Sequence, residues 1–269
     1  MRPHRAIETC HVYRLAGGRV TRPTDGRLRV LTCNLGHGRG WNLAQFAVTG
    51  AGARRHLTLL AALLRYHRPH LVALQEADGP CWWSGRFDHV AWLARSAGYP
   101  VALRCAQVER RRLNYGVAVL SRLPLREEQG WRFVPVRRAA KGFLDTVAIA
   151  PWGETGVSCV HLDFASGRER RRQLAAMLAH LDGARPRIVL GDFNCGRCHA
   201  DGPLGRLART AGLHGWSVRA RGPFSHPLTR QHLDWIMVGG GLQMTQHRVL
   251  PTPVSDHRAV LAEVAFTGV

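Results

Sequence analysis

Short apolar runs that end in a glycine or a polar residue recur along the chain, and most of them predict β-strands. The clearest reads Ile188-Val-Leu190 and is followed by Gly191 and Asp192. Apolar residues at helical spacing predict amphipathic helices over 53–67 and 168–182, and shorter helices are predicted at 87–97 and 203–211. The other strands are predicted near 27–33, 70–74, 100–107, 115–121, 131–136, 143–150, 156–161, 233–238, 242–250 and 259–265.

Turn signals suggest how some of these elements connect. Pro124 and the pair Trp152-Gly153 favour antiparallel hairpins in the central run of strands. The strand near 242–250 is expected to pair with 233–238 across three glycines. No linker divides the chain, so we predict one domain over 28–269, preceded by a basic segment, 1–27, that forms an edge hairpin or a loose arm.

The formal charge of +20 suggests an anionic partner without identifying it. Lys141 is the single lysine among 38 basic residues, and such a bias towards arginine could partly reflect codon composition. No apolar run has the length of a signal-peptide core or a membrane span, so we expect a soluble, cytoplasmic protein. The seven cysteines are scattered along the chain, which favours reduced thiols.

Polar residues stand at the ends of several predicted strands, where a buried sheet opens into a crevice. In a chain with only 18 acidic residues, carboxylates at successive strand ends indicate a site rather than surface decoration. Carboxylate and amide oxygens suit a hard cation such as Mg²⁺ or Mn²⁺, and histidines suit proton transfer or phosphate stabilisation. The set comprises Asn34, Glu76, His161 with Asp163, Asp192 with Asn194, Asp234, and Asp256 with His257.

Seven segments in order, CNLGHG, LVALQEAD, NYGVAVLSRLPL, CVHLDF, IVLGDFN, HLDWIMV and VSDHRAV, carry a family resemblance. Together they resemble the endonuclease/exonuclease/phosphatase superfamily over residues 28–265. The resemblance implies an α/β (α+β) fold, a four-layer α/β/β/α sandwich of two mostly antiparallel sheets packed face to face with helices outside. It also implies that 28–269 is a catalytic domain, with its active site where strand ends of both sheets meet.

The resemblance assigns metal-binding and water-handling roles to five residues of these motifs. Asn34 and Glu76 would hold the divalent metal, Mg²⁺ or Mn²⁺, with Asp256 assisting. Asp192 would orient or deprotonate the attacking water, and Asn194 would help to position water and phosphate.

The remaining motif residues would act on the phosphate. His257 would contact the scissile phosphate, Asp234 would hydrogen-bond His257 and fix its tautomer, and His161 would bind a phosphate oxygen. Many relatives carry an arginine before a glycine where this sequence has Lys141-Gly142. An ammonium also binds phosphate, so Lys141 is either a phosphate ligand or a solvated turn residue.

Several features of the sequence allow more than one interpretation. Arg168 and Arg171 open a helix beside His161 and form either a substrate-anion site or a solvated face. Asp163 is better explained as a cap of the turn into that helix. The loop aromatics Trp41, Trp82 and Trp83 could stack on a base, enter a lipid interface or cover the core. The motif Cys195-Gly-Arg-Cys198-His199 matches the pattern of c-type haem attachment, although the chain shows no export signal.

The prediction for function is a divalent-metal-dependent phosphoester hydrolase in which water attacks a phosphodiester in line. Nucleic acid, DNA or RNA, is the favoured substrate because of the charge and the basic helix start. A phospholipid, as in sphingomyelinases, or a small phosphoester is the alternative within the family. A non-catalytic nucleic-acid-binding module is the alternative of another class. Peripheral membrane contact stays open, and no protein partner is indicated.

Overall fold

A computed structural model of the chain describes residues 7–16, 20, 23, 26–42, 48–134, 139–181, 183–196, 203–215 and 223–268. Within these ranges the strands form two seven-stranded sheets. In the first sheet neighbouring strands are antiparallel except β9 (Gly153–His161) and β10 (Arg187–Asp192), which run parallel. Its spatial order is β1 (Ile7–Thr9), β7 (Leu125–Phe133), β8 (Gly142–Ala150), β9 (Gly153–His161), β10 (Arg187–Asp192), β12 (Asp234–Gly239) and β11 (His214–Gly215).

The second sheet repeats this arrangement with one parallel pair, β3 and β4. Its spatial order is β13 (Leu242–Leu250), β14 (Ala259–Phe266), β3 (Arg27–Asn34), β4 (Leu71–Asp78), β6 (Asn114–Ser121), β5 (Val101–Glu109) and β2 (Val12–Ala16). Each parallel pair needs a crossover connection, and a helix supplies it in both cases. These helices are α1 (Gly50–His67) between β3 and β4, and α3 (Gly167–Leu178) between β9 and β10.

Three apolar clusters show that the sheets and helices are stacked in four layers. One cluster lies between the sheets, with Val30 and Leu103 from the second sheet against Leu144 and Ile188 from the first. A second cluster packs α1 and α2 (His89–Ala97) on the second sheet, and a third packs α3 and α4 (Pro203–Ala211) on the first. The predicted two-sheet sandwich is therefore confirmed.

Strand β10 shows why its sequence is a continuous apolar run. Ile188 and Leu190 face the cluster between the sheets, whereas Val189 faces the helix-covered side. A strand buried on both faces cannot alternate apolar and polar residues. At its end Gly191 adopts φ +152, and a Cβ atom there would lie 2.0 Å from the carbonyl oxygen of Val160. Only glycine fits between the parallel strands at the residue before Asp192.

The connections between the sheets correct three sequence predictions. Trp152-Gly153 does close a β8–β9 hairpin, but the turn at Pro124 carries the chain from β6 in one sheet to β7 in the other. Strand β7 spans Leu125–Phe133 rather than 131–136, because its polar residues hide the strand pattern. β13 does not pair with β12, whose two edges are occupied by β10 and β11. Gly240 and Gly241 instead carry the chain from β12 in the first sheet to β13 in the second sheet, where β13 pairs with β14.

Part of the N-terminal segment is built into both sheets. β1 pairs with β7, and β2 pairs with β5, so the two strands do not form a hairpin with each other. Cys10, between them, donates its backbone N–H to Gly130 at 2.8 Å. The segment therefore covers one edge strand of each sheet, which protects exposed backbone groups from pairing with other chains.

We predict that Gly191→Ala lowers the free energy of unfolding by about 2–5 kcal/mol, because backbone strain and steric overlap both act there. Gly98→Ala is the matched control, since Gly98 also has a positive φ (+70) but open space around its Cβ position. Strain alone should cost the control about 1 kcal/mol. Urea unfolding of both variants measures the difference, and equal losses would contradict the close approach to Val160.

Candidate active site

Strand register brings three of the candidate residues side by side at one edge of the first sheet. Asp192, the last residue of β10, is paired with His161 of β9 on one side and with Asp234 of β12 on the other. In the second sheet Asn34 ends β3, and Glu76 lies near the end of β4. Strand ends of both sheets therefore meet around Asp192.

The carboxylate of Asp192 is buried and held from several directions. Its Oδ2 accepts a hydrogen bond from Asn34 Nδ2 at 2.9 Å, and its Oδ1 accepts one from the backbone N–H of Asn194 at 2.9 Å. His161 Nε2 lies 3.4 Å from Oδ2, and His257 Nε2 lies 3.9 Å from it. Burial raises the pKa of the Asp192 carboxyl to about 6, against the opposing charge of His257.

Asn194 is placed by an unusual backbone conformation. Its φ is +48, a region that asparagine tolerates better than most residues. Its Nδ2 donates to the carbonyl oxygen of Leu162 at 2.9 Å, which ties the loop after β10 to the loop after β9. The side chain is half-buried at the edge of the cluster. The structure thus places Asn194 beside Asp192.

His257 and Asp234 form a buried carboxylate–imidazole pair. His257 Nδ1 lies 2.9 Å from Asp234 Oδ2. Burial by itself lowers the pKa of His257, but the carboxylates of Asp234 and Asp192 outweigh it and raise the pKa to about 10. Ser255 fixes the loop, because its Oγ donates to the carbonyl oxygen of Asn34 at 2.5 Å and accepts from His257 N–H at 3.0 Å.

Lys141 lies in the centre of the cluster rather than in a solvated turn. Its Nζ is 2.6 Å from His161 Nε2 and 3.4 Å from Glu76 Oε1, and only 5% of the residue is exposed. Burial and the Lys141 ammonium hold the pKa of His161 well below its ordinary value. The ring is therefore neutral at neutral pH and can accept a hydrogen bond from the ammonium.

Glu76 is held by a second histidine that the sequence analysis did not assign to the site. His37 Nε2 lies 3.5 Å from Glu76 Oε2, and His37 Nδ1 lies 2.7 Å from Asp78 Oδ1. Burial favours the protonated carboxyl, but His37 and Lys141 hold the pKa of Glu76 far below its ordinary value. Glu76 and His37 both have positive φ, near +50. Asp78, which this histidine also contacts, follows Glu76 by two residues in the motif LQEAD, and that spacing was the sequence signal for a second acid at the site.

Asp256 is paired differently from Glu76. Its Oδ2 accepts a hydrogen bond from Arg39 at 2.8 Å and lies 3.7 Å from His226 Nε2. Burial opposes ionisation, yet His226 and Arg39 lower the pKa of Asp256 to about 2. The ring of His226 also packs edge-on against His257, with centroids 4.8 Å apart. Neither Arg39 nor His226 was expected, because each comes from an irregular loop.

Arg168 and Arg171 are exposed on α3, and in the described part of the chain no hydrogen bond or ion pair joins either one to this cluster. Asp163 caps the turn into α3, since its Oδ1 accepts hydrogen bonds from the N–H groups of Ala165 and Ser166. Cys195 is half-buried beside the site. The other members of its motif, Cys198 and His199, lie outside the described residues.

The donor set fits a hard cation. Three buried carboxylate oxygens, Asp78 Oδ2, Asp234 Oδ1 and Asp256 Oδ1, have no hydrogen-bond partner within the described residues. Two groups, Asp192–Asp234–His257 and His226–Asp256–His257, each bring ligand atoms within 4.8 Å of one another. Buried carboxylates without partners are costly unless a cation compensates them. Glu76 belongs to neither group, and its contacts at 3.4–3.5 Å with Lys141 and His37 are long.

A comparison with protein families decides which family this arrangement represents. The model of the Endonuclease/Exonuclease/phosphatase family matches residues 31–257. The chain belongs to this family. Members of the family are hydrolases of phosphoester bonds and are generally divalent-metal-dependent, so the chain has a phosphoesterase fold with acidic residues that could hold a metal.

Solved structures share the fold of this family member at low sequence identity. An endonuclease/exonuclease/phosphatase from Beutenbergia cavernae is 19% identical, with a TM-score of 0.67, over 90% of this chain and 72% of that one. A humanized TDP2 of D. rerio is 13% identical (TM-score 0.67; 89% and 99% covered), and a mannosyl-6-phosphatase of Bacteroides thetaiotaomicron is 15% identical (TM-score 0.65; 89% and 100% covered). A comparison with curated protein sequences finds no match. Among the described residues, no helix is both long enough and apolar enough to cross a membrane.

We predict that Mg²⁺ or Mn²⁺ stabilises the folded protein through Glu76. At an ion concentration of 100 times the dissociation constant, the gain is about 2.7 kcal/mol in the free energy of unfolding. Glu76→Gln should remove most of this ion-dependent gain, measured by thermal unfolding with and without the ion. Glu154→Gln is the control, because Glu154 lies at the start of β9, at the opposite end of that strand from His161, in an exposed ion pair with Arg185. An equal gain in both variants would contradict the assignment.

Proposed function

We propose that the protein is a Mg²⁺- or Mn²⁺-dependent phosphodiesterase that cleaves nucleic acid by in-line attack of water. The observation that carries this proposal is the buried Asp192 carboxylate, which lies between Asn34, Asn194, His161 and His257 where the two sheets meet. The cytoplasmic location expected from the sequence stays a prediction.

Asp192 is the group that prepares the nucleophile. Asn34 and Asn194 fix both of its oxygens by hydrogen bonds, so the carboxylate cannot rotate away from a bound water. A fixed acceptor can orient a water molecule and take its proton as the oxygen attacks phosphorus. Its hydrogen bonds come from an amide and a backbone N–H, which leave remaining lone pairs for the water.

His257 is the group that meets the developing negative charge. Asp234 receives its Nδ1–H, so Nε2 is directed towards Asp192 and the phosphate that would lie beside it. A hydrogen-bonded carboxylate stabilises the charged ring and fixes its orientation. His161 and Lys141, on the other side of Asp192, would bind a second phosphate oxygen. Charge that builds on the phosphoryl oxygens is thus met from two directions.

The divalent ion would be held by Glu76 and Asn34, with Asp256 assisting, and when bound it supplies Lewis-acid polarisation of the phosphoryl group. Asn34 Oδ1 accepts a hydrogen bond from Gly36 N–H at 3.0 Å, which fixes the amide for this role. Within the protein, Lys141 and His37 hold Glu76 ionised and ready for a cation.

The choice of nucleic acid rests on charge. The chain carries +20 formal charge, and a phosphodiester polymer is the substrate that gains most from such a field. A second candidate is a small phosphomonoester, because one structure of the same fold is named a mannosyl-6-phosphatase, whereas another is of TDP2 with a single-strand DNA product. At 14–15% identity these structures show the fold alone and do not decide the substrate.

We predict that Asp192→Asn lowers kcat for a small aryl phosphodiester by about 10²–10⁴-fold, as expected for loss of a positioned general base. The amide keeps the shape of the carboxyl, so the folded structure should persist. Asp163→Asn is the matched control, because asparagine still offers an oxygen to the turn that Asp163 caps. Undiminished turnover by Asp192→Asn would eliminate Asp192 as the base, and turnover absent from the wild type with both metals would favour the non-catalytic module.

Asp234 acts on the reaction through His257, so its replacement tests positioning. Asp234→Asn should lower kcat about 10- to 100-fold, the range found when a partner of a site residue is removed. KM should change much less, because the phosphate contacts of Lys141 and His161 do not involve Asp234. Steady-state kinetics separate the two constants. A rise in KM with unchanged kcat would show that the pair serves substrate binding only.

A further inference from the structure

We propose that an open cavity next to the active site binds single-stranded nucleic acid outside the scissile phosphate. The cavity has a volume of about 730 Å³ and is lined by Pro80, Cys81, Trp82, Arg86, Arg111 and Arg112. A nucleobase would stack on Trp82, and phosphates would contact the three arginines. The inference rests on the proposed function and specifies its substrate as an unpaired strand.

The composition of the cavity wall points to this ligand. Trp82 is 64% exposed, an unusual position for a large aromatic side chain. Arg86, Arg111 and Arg112 are exposed, and no carboxylate among the described residues pairs with any of them. An exposed indole among three unneutralised guanidinium groups suits alternating bases and phosphates.

The loop that carries Trp82 and Arg86 is held in shape before any ligand binds. Ser84 Oγ donates to the carbonyl oxygen of Gly79 at 2.8 Å and accepts from Cys81 N–H at 3.1 Å. The backbone N–H of Arg86 donates to Cys81 at 2.8 Å. A preorganised loop pays less conformational entropy when a ligand binds.

The opposite wall is attached to the same loop. The backbone N–H groups of Trp82 and Trp83 donate to the carbonyl oxygens of Arg111 and Arg112, at 3.4 and 3.3 Å. Gly79 N–H donates to Asn114 at 2.9 Å, which joins the segment after β4 to the start of β6. The backbone segments that carry the arginines of both walls are therefore fixed to each other across the cavity.

A short chain of side-chain contacts leads from the loop that lines the cavity to the candidate metal ligand Glu76. The ring of Trp83 packs edge-on against His37, with centroids 5.6 Å apart, and His37 Nε2 lies 3.5 Å from Glu76 Oε2. Trp82 immediately precedes Trp83 in the chain. A strand whose scissile phosphate lies at Asp192 would therefore pass Glu76 and His37 to reach Trp82.

An unpaired strand suits this cavity better than a membrane or a duplex does. Insertion into a bilayer needs a protruding apolar surface, whereas here a single exposed indole lines a concavity with three charged groups. Stacking on Trp82 needs a free base face, which a base inside a duplex does not offer. The face of Trp82 and the arginines therefore match a single strand.

The test measures binding of a fluorescent oligothymidylate of about twelve nucleotides, within the range of known single-strand sites. The Asp192→Asn background slows cleavage during the measurement. Trp82→Ala should weaken binding about tenfold, as expected for loss of one base–aromatic stack, and Trp82→Phe should restore most of it. The double variant Arg111→Ala/Arg112→Ala should weaken binding and reduce the salt dependence, with a log–log slope lower by about 1.4.

The matched control lies at the other end of the sandwich. Tyr66 is 82% exposed beside Arg29 and Arg248, near the start of β3 and far along that strand from Asn34. Tyr66→Ala/Arg248→Ala removes an exposed ring and a positive charge and should leave oligothymidylate binding unchanged. Losses in proportion to the positive charge removed, in the control as in Arg111→Ala/Arg112→Ala, together with unchanged binding by Trp82→Ala, would mean that net charge alone binds the strand, which would overturn the proposal.

Two further measurements separate the possible failures. Hydrolysis of a small aryl phosphodiester by the wild type tests the proposed chemistry without the cavity, so its absence refutes the proposed function. The protein with Asp192→Asn alone is the reference for binding. If that hydrolysis occurs but adding Trp82→Ala leaves the affinity for oligothymidylate unchanged, only the cavity proposal fails. Co-sedimentation with vesicles of phosphatidylserine and phosphatidylcholine provides the last comparison. Trp82-dependent binding to vesicles without Trp82-dependent binding to the strand would assign the cavity to a membrane instead.

Discussion

The hydrogen bond from Asn34 to Asp192 joins the ends of two strands that belong to different sheets, and the site is assembled around it. Asn34 ends β3 in the second sheet, and Asp192 ends β10 in the first. The sandwich core holds the sheets at a fixed separation, so the two side chains meet only where both strands stop. Ser255 extends the same junction by binding the backbone of Asn34 and His257, which brings the loop before β14 into the site.

Charge balance is the second constraint on this junction. Buried carboxylates are unfavourable unless cations or hydrogen bonds accompany them. Here basic side chains lie beside the acids: Glu76 has Lys141 and His37, Asp234 has His257, and Asp256 has Arg39 and His226. In the part of the chain that the structure describes, one carboxylate oxygen each of Asp78, Asp234 and Asp256 has no hydrogen-bond partner, and a divalent ion could compensate such oxygens. A protein with 18 acidic residues has thus gathered several of them at one point and surrounded them with positive charge.

The strand ends and the loops contribute different properties. Residues at strand ends are fixed by sheet register, which suits groups that must hold a water and a phosphate within narrow limits. The loop from Gly79 to Phe87 and the turn before β6 lie outside the sheets, yet hydrogen bonds of Ser84 and of the Trp82 and Trp83 backbone fix them to each other. Family members can therefore keep one catalytic arrangement while the surrounding loops present different surfaces to the substrate.

Local pattern in the sequence determined most elements and the identity of the central site residues. The apolar run 188–190 with Gly191 and Asp192 became β10 and its terminus, and the order of the motifs was sufficient to indicate the fold. Pairing across the sandwich was decided only by the tertiary structure. β13 pairs with β14 rather than with β12, whose two edges are occupied by β10 and β11, and a strand's partner depends on edges formed by segments far away in sequence. For the same reason His226 and Arg39, which lie in irregular loops, became neighbours of Asp256 only in the folded chain.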